Sequence, residues 1–127
     1  MLATARFGTC DLARAGVFYD AIASLLGASR LYDRPDLIGY RGSDGGIFLI
    51  GLPFQGDASV GNGTQVGLQA PNRATVDAVH AKALALGGSC EGKPGIRGAD
   101  PNGYYGAYFR DPDGNKLTVF RFGPPDA

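Results

Sequence analysis

The chain has 127 residues, enough for one domain with a continuous core and too few for two ordinary ones. Apolar residues make up 44%, which excludes a disordered chain, and twelve basic side chains cancel twelve acidic ones, which argues against nucleic acid or an anionic membrane as the main partner. No apolar run approaches the roughly 18 residues of a membrane span, MLATARFGTC lacks the pattern of a secretory signal, and Cys10 and Cys90 stand far apart, so a cytoplasmic protein with reduced thiols is expected.

In chain order, residues 4–10 (TARFGTC) read as a short strand. Asp11 then opens DLARAGVFYDAIASLLG, where Leu12, Ala15, Phe18, Ile22 and Leu25 recur at helical spacing. The Asp11 carboxylate is a natural acceptor for the free amides of the first turn, and Gly27 a natural stop. SRLYD, LIGYRG and GIFLIGLP follow as three strands, broken at Asp33–Asp36 and at SDGG (43–46). Residues 55–63 (QGDASVGNG) carry no hydrophobic pattern and read as an exposed connector.

The same grammar then starts again. TQVGLQA (64–70) is strand-like, Asn72 caps RATVDAVHAKALALGG, SCEGKPGIRG is irregular but extended in parts, and YYGAYFR and KLTVFRF flank DPDGN. An offset of 61 residues carries Asp11 onto Asn72, Phe18 onto Val79, Ile22 onto Ala83 and Gly27 onto Gly88. The sequence therefore predicts two β-α-β-β-β modules, about 1–54 and 64–123, within a single domain over 1–127. The predicted class is α+β, a cupped and mostly antiparallel sheet with helices on its outer face. Neither module can bury its sheet alone, so the two must share a sheet or pair with another chain.

DPDGN has three readings: a metal loop, a catalytic carboxylate pair, or a turn. An EF-hand loop needs further oxygen ligands and a distal Glu, which do not follow Asn115. A catalytic pair gives no reason for the proline between its carboxylates. A turn explains every residue: Pro112 fixes φ, Asp111 and Asp113 bond nearby amides, and Gly114 takes positive φ. Pairing Arg110 with Lys116 then sets Tyr108 against Thr118 and Gly106 against Phe120. That register turns Ala107, Phe109, Leu117 and Val119 to the helices, and Tyr104, Tyr108, Thr118 and Phe120 away from them.

Other chemistry is sparse. His80, the single histidine, lies mid-helix and is expected to be satisfied or solvent-facing, not a metal ligand. Cys10 is expected to be a buried apolar thiol, since no His or second Cys stands near it in sequence. No nucleophile–base pair is visible, and no GxGxxG or GxxxxGK phosphate loop occurs.

The two modules, with DLARAGVFYDAI and LLG in the first and GNGTQVGLQAPNRATVDAVHAKALALGG and YGAYFRDPDGNKLTVF in the second, resemble the vicinal oxygen chelate superfamily. This is the group of glyoxalase I, extradiol dioxygenases, fosfomycin-modifying enzymes and bleomycin-resistance proteins. The resemblance implies a divalent ion in the cup. Its usual ligands are a His on the first strand, a His on the strand opening the second module, and a Glu seven residues after the first Asp of the turn. In this chain those positions hold Thr4, Gln65 and Thr118, none a good ligand for such an ion. The resemblance also implies a homodimer, in which modules are exchanged so that Thr4 of one chain faces Gln65 and Thr118 of its partner.

With those positions facing inward, the cup would hold Thr4, Arg6, Gln65, Gln69, Tyr108, Thr118 and Phe120, joined by Tyr104, Phe48 and Ile50. Arg6 could pair with a ligand carboxylate or phosphate, or be a surface arginine at a strand edge. The resulting expectation is a cofactor-free protein that binds a small organic molecule. The alternative is a metal-dependent lyase, dioxygenase or transferase using Zn, Ni, Mn or Fe through displaced ligands. A third reading is a structural or regulatory subunit whose cup is filled by its own side chains.

Overall fold

The computed structural model describes residues 1–125, and the order β-α-β-β-β occurs in it twice. The first module comprises β1 (Thr4–Gly8), α1 (Leu12–Leu25), β2 (Ser29–Arg34), β3 (Leu37–Arg41) and β4 (Ile47–Gly51). The second comprises β5 (Val66–Gln69), α2 (Arg73–Ala85), β6 (Ser89–Arg97), β7 (Tyr104–Arg110) and β8 (Lys116–Phe122). Each module forms its own four-stranded mixed sheet, ordered β1-β4-β3-β2 and β5-β8-β7-β6, with β1–β4 and β5–β8 parallel. The α+β class and the repeated module are as the sequence predicts.

Local chemistry sets the boundaries. Asp11 accepts from the Arg14 amide at 3.0 Å and Asn72 from the Thr75 amide at 2.8 Å, each satisfying a free donor of its helix's first turn. The helices are capped at Leu26 and Leu86, so the repeat offset slips from 61 to 60 there, and Gly87, not Gly88, matches Gly27. β6, irregular in sequence, runs over nine residues but shifts register between Cys90 and Gly92 and again before Gly95.

The modules share a core, not a hydrogen-bonded sheet. Phe18 and Ile22 of α1, Ile38 and Ile50 of the first sheet, Val76, Val79 and Ala83 of α2, and Phe109, Leu117 and Val119 of the second sheet form one buried cluster. The two helices contact each other within it. Strands β1 and β5 are each paired on one side only, leaving an outer edge free in the chain.

The DPDGN turn clasps the modules together. Gly114 has φ 95°, and the Asp111 carboxylate accepts from the amides of Asp113 and Asn115 at 2.9 Å, as the turn reading requires. The same residues also reach the other end of the chain. Asn115 Nδ2 donates to the Gly8 carbonyl, the Tyr19 hydroxyl donates to Asp111, and Asp113 accepts from the Thr9 hydroxyl, the Cys10 amide and thiol, and Arg14. The equivalent turn of the first module, RGSDGG, has Gly42 and Gly46 where RDPDGN has Asp111 and Asn115. It keeps Asp44 at the position of Asp113 but lacks the other two side chains of the clasp.

Cys10 is exposed, not buried, because the clasp turns its thiol to the Asp113 carboxylate, 3.1 Å away. That hydrogen bond, and then the carboxylate's charge, push the thiol above its ordinary value of 9.0, with Arg14 acting the other way. Burial would push Asp113 up, but Thr9, Cys10 and Arg14 outweigh it and hold the carboxyl below its ordinary value. Cys10 in the native protein is therefore expected to react with iodoacetamide near pH 8 several-fold more slowly than in Asp113→Asn. Peptide mass spectrometry of timed samples gives both rates; equal rates would dissociate the thiol from Asp113.

His80 is neither solvent-facing nor fully satisfied. It is 6% exposed, among the buried residues of α2, and its Nε2 has no hydrogen-bond partner. Burial lowers its pKa below the ordinary 6.5, against an opposing pull from Asp77. The unfolded chain then binds this proton more readily than the folded one. The corresponding stability is present in full above about pH 6.5 and is lost as pH falls through the lower folded-state value. Urea midpoints should drop between about pH 7 and pH 5, and His80→Leu should remove most of that drop. An unchanged slope in the variant would exclude His80 as its source.

Candidate binding site on the helix-distal face

Side chains alternate along β7 and β8, and the observed register is the one the turn predicts: Arg110 opposite Lys116, Tyr108 opposite Thr118, Gly106 opposite Phe120. Ala107, Phe109, Leu117 and Val119 are fully buried against α2. Tyr104, Tyr108, Thr118 and Phe120 occupy the opposite face. The parallel pairing of Gly67 with Thr118 and Gln69 with Phe120 puts Gln65 and Gln69 on that face too.

The Tyr104 and Phe120 rings stack, 5.2 Å apart and 12° from parallel. The Tyr104 ring lies across Gly106, where an added Cβ would meet it at 2.6 Å, so the missing side chain makes room for the stack. Gly106→Ala is expected to swing the Tyr104 ring away and lose the stack, which tyrosine fluorescence and the ring proton shifts would report. Unchanged shifts would mean the backbone adjusts instead.

Thr118 is 4% exposed and donates its single hydroxyl proton to the Ala107 carbonyl at 3.0 Å. The Tyr104 hydroxyl, 2.9 Å from Thr118 Oγ1, is then the donor of that pair. Partial burial, ahead of the neighbouring Tyr108, pushes the Tyr104 phenol above its ordinary value, so it stays protonated. Tyr108 lies between two cations, with Arg97 Cζ 5.5 Å and Lys116 Nζ 5.6 Å from its ring centroid. Arg97 pairs with Tyr104 across β6–β7 and shares this face, a placement the irregular reading of β6 concealed.

The first module contributes differently from expectation. Thr4 and Arg6 alternate onto the helix-distal face of β1, both exposed, and Arg6 Nη2 donates to the Leu52 carbonyl at 2.8 Å. Phe48 does not face the hollow. Parallel pairing sets it beside Ala5, and its ring packs on Tyr19 at 4.8 Å and Phe7 at 5.8 Å, toward α1. Ile50, fully buried in the core, shares that face.

Among the described residues, no three His, Cys, Asp or Glu side chains converge as a metal ion requires. Thr4, Gln65 and Thr118 supply neutral oxygens only, and that of Thr118 is already bonded. This donor set does not fit a divalent transition ion. Among the described helices none is long and apolar enough to cross a membrane.

The sequence profile of the Glyoxalase/Bleomycin resistance protein/Dioxygenase superfamily matches residues 2–119. Among solved structures, the chain is similar to a glyoxalase/bleomycin resistance protein from Albidiferax ferrireducens T118, with 36% identity, a TM-score of 0.86, and coverage of 95% of this chain and 98% of that one. It is similar in fold to a glyoxalase-related enzyme from Fulvimarina pelagi, at 21% identity, TM-score 0.71 and 95% and 87% coverage. The fold likeness extends to a lactoylglutathione lyase from Agrobacterium tumefaciens, at 23% identity, TM-score 0.64 and 95% and 92% coverage. A search of curated proteins finds no match.

Proposed function

The chain belongs to the Glyoxalase/Bleomycin resistance protein/Dioxygenase superfamily, and from that premise we propose that it binds a small planar anion on the helix-distal sheet faces without a metal. The observation that carries this reading is the state of Thr118. Where the superfamily resemblance implies a carboxylate ligand, a buried hydroxyl gives its proton to Ala107 and accepts from Tyr104. Such a group neither supplies charge to a cation nor leaves one room. What surrounds it suits another partner: a stacked aromatic pair for a planar ring, and Arg97 and Lys116 flanking Tyr108 for a carboxylate or phosphate.

The binding unit is a homodimer in which the free edges of β1 and β5, carrying or adjoining Thr4 and Gln65, meet across two chains. The unpaired edges support this, as does exposed Phe122 at the end of β8. Two free, exposed cysteines suit the cytoplasm.

The experiment combines metal analysis with calorimetric titration of benzoate and phenyl phosphate. The purified protein should carry no stoichiometric Zn, Ni, Mn or Fe. It should bind at least one of the two anions, about tenfold more weakly after Arg97→Ala, and scatter light as a dimer. Stoichiometric metal, or no response to either anion, would sink the reading.

A further inference from the structure

The outermost strand of the second sheet, β6, departs from regular pairing in a way that serves one side chain. Gly92 pairs with Tyr108 and Gly95 with Gly106, so three steps along β6 span two along β7, and one residue is extra. Residues three apart on a regular strand face opposite sides of a sheet. The shift instead puts both glycines on the face that carries Tyr108, beneath the Arg97 guanidinium. A Cβ added at Gly92 would meet Arg97 Nη2 at 3.2 Å, and one at Gly95 would meet Nη1 at 3.1 Å. Beyond its chain neighbours, the Cβ at 95 would meet nothing else within 4 Å. Pro94, which has no amide to pair, is tolerated because β6 is bonded on one side only.

The bulge also supplies a bond. The Lys93 carbonyl accepts from Arg97 Nη2 at 2.6 Å, and Arg97 Cζ stands 5.5 Å from the centroid of the Tyr108 ring. The guanidinium is thus held by the backbone beneath it, a carbonyl at one nitrogen and a ring beside it. Its bond to Lys93 is its only hydrogen bond within the described residues, which leaves Nε and Nη1 for a ligand. Glu91, the only carboxylate of β6, is engaged by Arg110. An arginine held in this way has given up rotamer freedom before a ligand arrives, so less is lost on binding. β6 is also the strand of its sheet farthest from β5, so chains joined through β1 and β5 do not pair through it.

Given the anion-binding role proposed above, we propose that Gly92 and Gly95 are positioning residues, which hold Arg97 as a preformed fork for two oxygens of a ligand carboxylate or phosphate. The role of Arg97 is then geometric as well as electrostatic. A lysine at 97 would keep the charge but not the planar set of donors. The same role accounts for the composition of GKPG (92–95): its two glycines leave the space, and the residues between them form the bulge.

The test repeats the calorimetric titrations of benzoate and phenyl phosphate on variants of the full chain. Valine suits a strand, and at position 95 it pushes on Arg97. Gly95→Val should therefore weaken whichever anion the native protein binds about tenfold, as Arg97→Ala does, while circular dichroism stays native. Arg97→Lys should lose nearly as much. In the Arg97→Ala background Gly95→Val should have no further effect, because the group it displaces is gone. Native affinity in Gly95→Val or in Arg97→Lys would overturn the proposal. So would a loss from Gly95→Val that persists in full without Arg97, since the valine would then act on the ligand or the fold. If valine unfolds the chain, Gly95→Ala decides instead: its methyl should cost about threefold, and full affinity would overturn the proposal. Absence of binding to the native chain, by contrast, would sink the anion reading itself and this role with it.

Discussion

Asp111→Ala is expected to remove about 3–5 kcal/mol of folding stability, the cost typical of deleting one partner from a buried charged network. The carboxylate is 3% exposed and accepts four hydrogen bonds: from the Tyr19 hydroxyl at 2.5 Å and, at 2.9 Å each, from the amides of Asp113 and Asn115 and from Asn115 Nδ2. Alanine strands all four donors. Tyr19 suffers most, because its ring is packed between Phe18, Tyr40 and Phe48 and cannot turn to water. Burial, followed by the charge of Asp111, pushes its phenol well above the ordinary value, so ionisation offers no escape. With a domain stability of about 5–15 kcal/mol, the loss would be visible in a single urea titration. Asp111→Asn keeps the shape and one acceptor oxygen, and should fall between alanine and the native chain. If alanine costs under about 1 kcal/mol, the turn is not what joins the modules.

The second large effect is expected at Phe109. This fully buried ring meets Phe18 of α1 at 6.3 Å between centroids, across the line dividing the modules. Phe109→Ala should cost about 3–5 kcal/mol through lost burial and the cavity it leaves. Phe18→Ala should cost a similar amount. A double-mutant cycle should return a coupling of about 0.5–1.5 kcal/mol, because the second truncation removes a contact already broken. Unfolding should remain a single transition in every variant, since the common core contains both modules. Two transitions, or strict additivity, would show that the modules are energetically separate.

Much of the architecture was legible because the decisive signals are local. Asp11 and Asn72 cap helices within three residues, and DPDGN sets the β7–β8 register by its own turn chemistry. Phe48 was illegible for a physical reason. GIFLIG is apolar at consecutive positions, so alternation carries no signal, and only its parallel pairing with β1 decides which side chains meet α1. Cys10 and His80 were misjudged because their surroundings come from distant segments. The thiol's partner lies 103 residues away, and the packing of His80 depends on where α2 meets the rest of the core. A hint of the clasp was nonetheless present. Comparing RGSDGG with RDPDGN shows that two carboxylate or amide side chains in the second turn are glycines in the first, more than a turn alone requires. At the candidate site, Tyr104, Tyr108, Thr118 and Phe120 followed from the hairpin, whereas Arg97 needed the bulged register of β6.

The clasp also bears on how the protein is made. Hydrogen bonds from Thr9 to Asp113 and from Asn115 to Gly8 span 104 and 107 residues, almost the whole chain. Until the second module has been added, the first module therefore holds the Tyr19 hydroxyl without its acceptor and cannot complete the clasp. Closing so long a loop is slow compared with forming either helix.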